Sequence, residues 1–153
     1  MLHKLLKKHR PEPQTMIFDA QIGGYYTYKS DDGSWRIYRM LDFTVNAIHC
    51  TLYKEYFDHK PTLAEAIAAR PAILHAPLHK ATLFDEKELE LLGAKPIEAG
   101  DLEGYVVYLE QMGDTEAEMA ATIGRLGHLG RQGAVKLKLT KVGDKVETEE
   151  PKD

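Results

Sequence analysis

Apolar and polar residues alternate from Ile22 to Lys54, and this period of two predicts three antiparallel strands, Ile22–Lys29, Ser34–Phe43 and Ala47–Lys54. In the middle strand the alternation puts Trp35, Ile37, Leu41 and Phe43 on one face with Arg39, and Arg36, Tyr38 and Met40 on the other. Asp31-Asp32-Gly33 supplies the turn before it, because glycine tolerates the positive φ of a tight hairpin. In the third strand Ile48, Cys50 and Leu52 are expected to point inward. Most of the aromatic residues, with the single Trp and the single Cys, fall between Phe18 and Phe57, so the core is expected to build on this meander.

After Pro61 the signals become helical. Thr62-Leu63-Ala64-Glu65 places a hydroxyl and a carboxylate to cap the first turn reciprocally, and Arg70-Pro71 ends that short helix. Ile73–Leu78 reads as a returning strand. Asp85-Glu86-Lys87-Glu88 repeats the capping pattern, with Phe84 and Leu89 spaced as a hydrophobic staple and Gly93 as a left-handed stop, so a second helix is expected there. From Asp101 a third helix carries Leu102, Tyr105, Val106 and Leu109 on one stripe that should pack on the sheet. Thr115 with Glu118 opens a fourth, which should turn Met119, Ile123 and Leu126 inward. Val135, Leu137 and Leu139 alternate with Lys136, Lys138 and Thr140 as a last strand with one solvated face.

The expected fold is therefore α+β: a three-stranded antiparallel meander in a strongly bent, SH3-like sheet, packed by C-terminal helices, with a late return strand. Residues 1–15 read as a flexible basic tail, since Pro11 and Pro13 break any helix begun by Leu2, Leu5 and Leu6. Residues 16–142 read as one domain, and residues 143–153 as a frayed acidic end. A chain of 153 residues can bury about two-thirds of its unfolded surface, so no metal or disulfide is needed for folding. The lone Cys50 and the lack of a signal-like apolar run suit a reducing cytoplasm, and no apolar stretch approaches the roughly 18 residues of a membrane span. The net charge of −4 is the more acidic outside the first ten residues, where Lys4, Lys7, Lys8 and Arg10 cluster. An acidic body repels phosphate backbones, which excludes broad nucleic-acid binding.

Two groups of residues are candidate sites. Arg36, Tyr38, His49 and Tyr53 would form a polar-aromatic surface on the exposed face of the meander, suited to a partner or ligand, with plain sheet surface as the bland reading. In Gly124-Arg125-Leu126-Gly127-His128-Leu129-Gly130-Arg131-Gln132-Gly133 every third residue is glycine, and Arg125, His128 and Arg131 would cradle an anion. The alternative is that these glycines end the fourth helix and give a flexible link. His49 and Cys50, as strand neighbours, point to opposite faces and form no thiol–imidazole pair. His75 and His79 flank Pro77, which disfavours the helix that would bring them together, so no metal is expected. Glu86, Glu88 and Glu90 read as a solvated helix face, and no dinucleotide, hydrolase, zincin or Cys-x-x-Cys motif is present, so no catalytic, cofactor or metal residue is assigned.

The order of a strand meander around Trp35, then His75-Ala76-Pro77-Leu78, then Asp101-Leu102-Glu103-Gly104-Tyr105 on a helix resembles small bacterial proteins of unassigned function. The resemblance spans about residues 22–112, departs where His79 follows the Pro-Leu pair in place of Ser, and has no counterpart for residues 113–153. It implies a curled SH3-like sheet with helices and, in some of those proteins, an immunity-type role of neutralising a partner, with no established catalytic residues. The expected function is a non-enzymatic binding or regulatory module with an unidentified protein partner and no cofactor; homo-oligomerisation is left open. The alternative is a small-molecule or anion-processing protein using the Gly124–Gly133 loop with His49 or His75. Converging imidazole, guanidinium and carboxylate in a concave pocket would favour the alternative, and a flat aromatic patch the binding module.

Overall fold

The computed structural model describes residues 12–150 and is a sheet-rich α+β fold. The strands are β1 (Gln14–Ala20), β2 (Gly24–Lys29), β3 (Trp35–Phe43), β4 (Ile48–Tyr53), β5 (Pro71–Leu78), β6 (Lys87–Ala94), β7 (Val135–Val142) and β8 (Lys145–Glu149). The helices are α1 (Leu63–Ala68), α2 (Glu103–Gln111) and α3 (Glu116–Leu129), with 3-10 turns at Lys80–Asp85 and Ala99–Leu102. Two antiparallel sheets result, one of order β5-β4-β3-β2-β6 and one of order β1-β7-β8. No helix among the described residues is long and apolar enough to cross a membrane.

Local chemistry accounts for the first hairpin. Asp32 Oδ1 accepts from the Ser34 amide at 2.9 Å, and Gly33 takes a φ of 86°, which a side chain would oppose. Beyond the turn Tyr26 faces Tyr38, and their rings stack at 5.4 Å. The main core lies where this sheet meets β1, β7, α2 and α3. Tyr38, Met40, Ile48 and Cys50 meet Leu102, Tyr105 and Leu126 there, and Phe18, Leu137 and Leu139 close it from the smaller sheet. A smaller cluster of Tyr25, Ile37 and Ala66 fills the opposite face of the large sheet beneath α1. Thr62 and Glu65 make the expected reciprocal cap of α1.

The structure corrects several expectations. Both faces of β3 are covered, so Tyr38 and Met40, read as outward, are 2% and 0% exposed. The register shifts between Met40 and Asp42, a β-bulge that returns Leu41 to the main core with them. Trp35, read as core, is only half-buried at the start of β3, where its backbone exchanges hydrogen bonds with Phe57. Lys87–Ala94 is a strand, not a helix, because the edge of β2 offers a ladder that pairs Tyr26 with Leu91 and Thr27 with Glu90. Gly93 is accordingly no helix stop; a Cβ there would lie 2.7 Å from Leu63 Cδ2, so it lets α1 sit close on β6.

The chain ends also differ. Gln14 and Thr15, assigned to the tail, belong to β1, which pairs with a strand from the far end of the chain: Thr15 faces Thr140 and Phe18 faces Leu137. The basic cluster Lys4 to Arg10 lies outside the described residues. Within residues 143–153, read as a frayed end, Lys145–Glu149 form β8, with Glu149 opposite Lys138 and Glu147 opposite Thr140, so acidic side chains complement a lysine-rich strand; residues 151–153 lie outside the described residues. Ile123 and Val135 are 40% and 46% exposed rather than inward.

Candidate functional site

Cross-strand registration brings part of the first candidate surface together. Tyr28 faces Arg36, Tyr38 faces Leu52, and Leu52 faces Ile73, so one end of the core face of the large sheet is a continuous row of tyrosine, arginine and aliphatic side chains. Tyr53, Tyr56 and Leu78 flank the row, and Thr82, Asp85 and Glu86 from the 3-10 turn rise over its edge. The result is a groove of about 510 Å³, a size within the roughly 300–1,000 Å³ common to small-ligand clefts. Arg36 and Tyr38 therefore share one site, whereas the Tyr53 ring packs on the opposite face of the sheet against Tyr25, 6.2 Å away. His49 does not belong to that site either.

The groove holds unequal polar partners. The Tyr38 hydroxyl donates to Glu86 Oε2 at 3.0 Å. Burial, which penalises the charged form, pushes the Glu86 carboxyl up to about 8; the Tyr38 hydrogen bond pulls the other way and Asp85 adds to the rise. Glu86 is thus largely a neutral acid at pH 7. The Arg36 guanidinium lies over the Tyr56 ring at 4.2 Å, its Nε is buried without a hydrogen-bond partner, and Asp32 Oδ2 stands 3.7 Å from it.

His49 lies in a second, buried polar centre. The bulge in β3 sets Asp42 opposite His49, and the fully buried Asp42 carboxylate accepts from the Tyr105 hydroxyl at 2.6 Å, Arg125 Nη1 and Nη2 at 3.0 and 2.8 Å, and the Phe43 amide at 2.8 Å. His49 Nδ1 is 2.8 Å from His75 Nε2, and both rings pack against Tyr105 and Tyr108. Burial holds His49 below its usual range despite the Asp42 charge, and burial with the neighbouring His49 lowers His75 to about 4, so both imidazoles are neutral at pH 7. Imidazole, guanidinium and carboxylate do converge, but they converge on one another. A carboxylate offers about four acceptor positions, and the four donors named fill them, leaving no lone pair for a substrate. The centre clamps α2 and α3 to β3.

The glycine series is corrected by the same contacts. α3 runs through Gly124 and Gly127 to Leu129, so Arg125 and His128 sit on a helix and not in a loop. Arg125 is committed to Asp42, and His128 Nε2 lies 2.9 Å from Gln132 Nε2. Arg131, beyond the Gly130 cap, is exposed. These three side chains form no shared cradle. His79 accepts from the Ala81 amide through Nδ1 and caps the first 3-10 turn, while His75 belongs to the polar centre. Buried Arg39 is a fastener, donating to the Gly23, Lys95 and Pro96 carbonyls and pairing with Asp101. Lys80 packs its ammonium over Phe43 at 4.2 Å, and burial lowers its pKa.

Sequence reasoning missed Asp42, Tyr105 and Glu86 as site-forming residues, and named His75 only as an alternative to His49 beside the glycine series. The period-two run Glu88-Leu89-Glu90-Leu91 signalled the strand that follows Glu86, and it competed with a capping pattern of equal length. The Asp42 centre had no local signal, because its members come from five separate elements. Compared with protein-family models, curated proteins and solved structures, the chain matches none.

Proposed function

We propose that this chain is a non-enzymatic binding or regulatory module that takes its partner or ligand in the tyrosine-lined groove. The observation that carries the reading is the contrast in satisfaction: the groove presents an arginine with an unpartnered, buried Nε and a protonated carboxyl beside the half-buried Tyr28 and the exposed Tyr56, whereas the Asp42 carboxylate has every acceptor position filled. Tyrosine and arginine are the side chains enriched where binding energy concentrates. An SH3-like bend of the large sheet would explain why this end of the core face is concave, and the protected lone thiol suits the reducing cytoplasm expected from the sequence. An immunity-like role, in which the groove occupies and silences a partner's site, is the regulatory form of this reading.

The test is co-purification of untagged protein from its own host, comparing the parent with Arg36→Ala, Tyr56→Ala and the surface control Arg131→Ala, each verified as folded by circular dichroism. Material held by the parent and the control and lost from both groove variants is the expected result. Retention by the groove variants would move the binding surface elsewhere and end this reading.

A further inference from the structure

Arg36 and Glu86 line the same groove yet do not meet. Among the described residues Glu86 makes no ion pair, and the Asp32 carboxylate is too far from Arg36 for a hydrogen bond. Tyr28, opposite Arg36 across the ladder and lining the same groove as Glu86, feels both charges: burial raises its phenol, Glu86 raises it further and Arg36 lowers it. Asp85 sits beside Glu86 on the rim, and Leu52, Ile73 and Leu78 supply an apolar floor.

Resting on the reading of the groove as the binding surface, we infer that it takes a short free peptide as a zwitterion, its carboxylate on Arg36, its ammonium on Glu86 and Asp85, and its apolar side chains on the tyrosines. A lone anion would answer Arg36 and leave the two carboxyls facing it; a lone cation would do the reverse beside a fixed guanidinium. A molecule with opposite charges at its two ends satisfies both walls at once. An arriving ammonium also supplies the counter-charge Glu86 lacks, and so favours ionisation of a carboxyl now held up at about 8. Guanidinium and carboxylate match in shape as well as charge, and tyrosine faces accept aliphatic side chains without demanding one sequence. An internal segment of a folded protein offers no such pair of terminal charges.

The test is calorimetric and NMR titration of the intact chain with Leu-Leu, N-acetyl-Leu-Leu, Leu-Leu-amide and leucine. The expected result is saturable binding of Leu-Leu that moves the Tyr28 and Tyr56 ring signals. Blocking either end should weaken it at least about tenfold, the scale of one hydrogen bond to a charged group. Leucine, which has the same two charges but only one apolar side chain, should bind more weakly. In Arg36→Gln the amide and the free peptide should bind alike, and in the double variant Asp85→Asn with Glu86→Gln the acetylated and free peptides should bind alike. No binding of Leu-Leu by the parent, or binding indifferent to both blocking groups, overturns the zwitterion assignment without any variant having to fold. If that happens while Arg36→Ala and Tyr56→Ala still lose a co-purifying partner, the groove stands as the binding surface and only its ligand class falls. If the variants also leave the partner bound, both fall.

Discussion

The Asp42 centre and the tyrosine groove are made from the same kinds of side chain and come out opposite. Each combines a carboxyl, an arginine and tyrosines against the same large sheet. In the centre the carboxylate meets its arginine, and every acceptor position is taken. In the groove the carboxyl and arginine stand apart, one neutralised by burial and the other left with an orphan nitrogen. Polar groups that satisfy one another hold a fold together, and those that do not are available to something else.

The sharpest way to break the comparison is to remove one charged side chain from each region. Asp42→Ala should lower unfolding free energy by about 3–5 kcal/mol in urea titration, because it strands buried partners, while Arg36→Ala should cost no more than about 1 kcal/mol, the worth of an exposed cation–π contact. Similar losses from the two would erase the distinction. Next in size, Tyr105→Phe keeps the ring packing and deletes one hydrogen bond to a charged group, so a loss of about 1.5–3 kcal/mol is expected. A neutral result would show that Arg125 alone carries the clamp.

The two regions should also tilt stability with pH in opposite directions. The Glu86 carboxyl is raised from 4.5 to about 8, so the folded chain keeps a proton that the unfolded chain releases. Its contribution is full below about pH 4.5 and is lost as pH climbs towards 8. His75 is lowered from 6.5 to about 4, so its contribution is full above about pH 6.5 and is lost as pH falls towards 4. Glu86→Gln should flatten the alkaline limb of a stability–pH curve, by at most about 1.4 kcal/mol per pH unit, and leave the acid limb in place; His75→Gln should do the reverse. Curves in which either variant alters both limbs equally would couple two regions that the structure keeps separate.

The smallest effect tests the helix that carries Arg125. A Cβ added at Gly124 or Gly127 would meet nothing within 4 Å, so each change to alanine should stabilise by about 0.5–1 kcal/mol through helix propensity. Melting temperatures that fall instead would favour the loop the glycine spacing first suggested.

Legibility followed the range of the interactions. The hairpin at Asp32-Gly33, the capped starts at Thr62 and Thr115, and the α2 stripe with Tyr105 and Leu109 buried are written in neighbouring residues and were readable. β1 and β8 were not, because β1 finds its partner at the far end of the chain and β8 shows its sense only beside the lysines of β7. β6 was misread because a capping pattern and a strand alternation overlap at Lys87 to Leu91, and the waiting edge of β2 decides between them. Of the sites, Arg36 and Tyr38 could be grouped from strand phase alone, while the same phase sends Tyr53, next to Leu52, to the other face. Their acid could not, because Glu86 reaches the groove from a turn, and His49 was drawn away by a bulge that no alternation announces.

Cys50, the chain's single cysteine, sits fully buried in β4 with its thiol pushed up by burial and, next, by Glu86. A thiol reagent reaches it only when the strands around it part, so its labelling rate becomes a clock that ticks once per opening of the large sheet. Occupancy of the groove should slow that clock by the factor one plus ligand concentration over its dissociation constant wherever opening expels the ligand. The chain thus carries its own kinetic reporter of binding, needing neither dye nor tag.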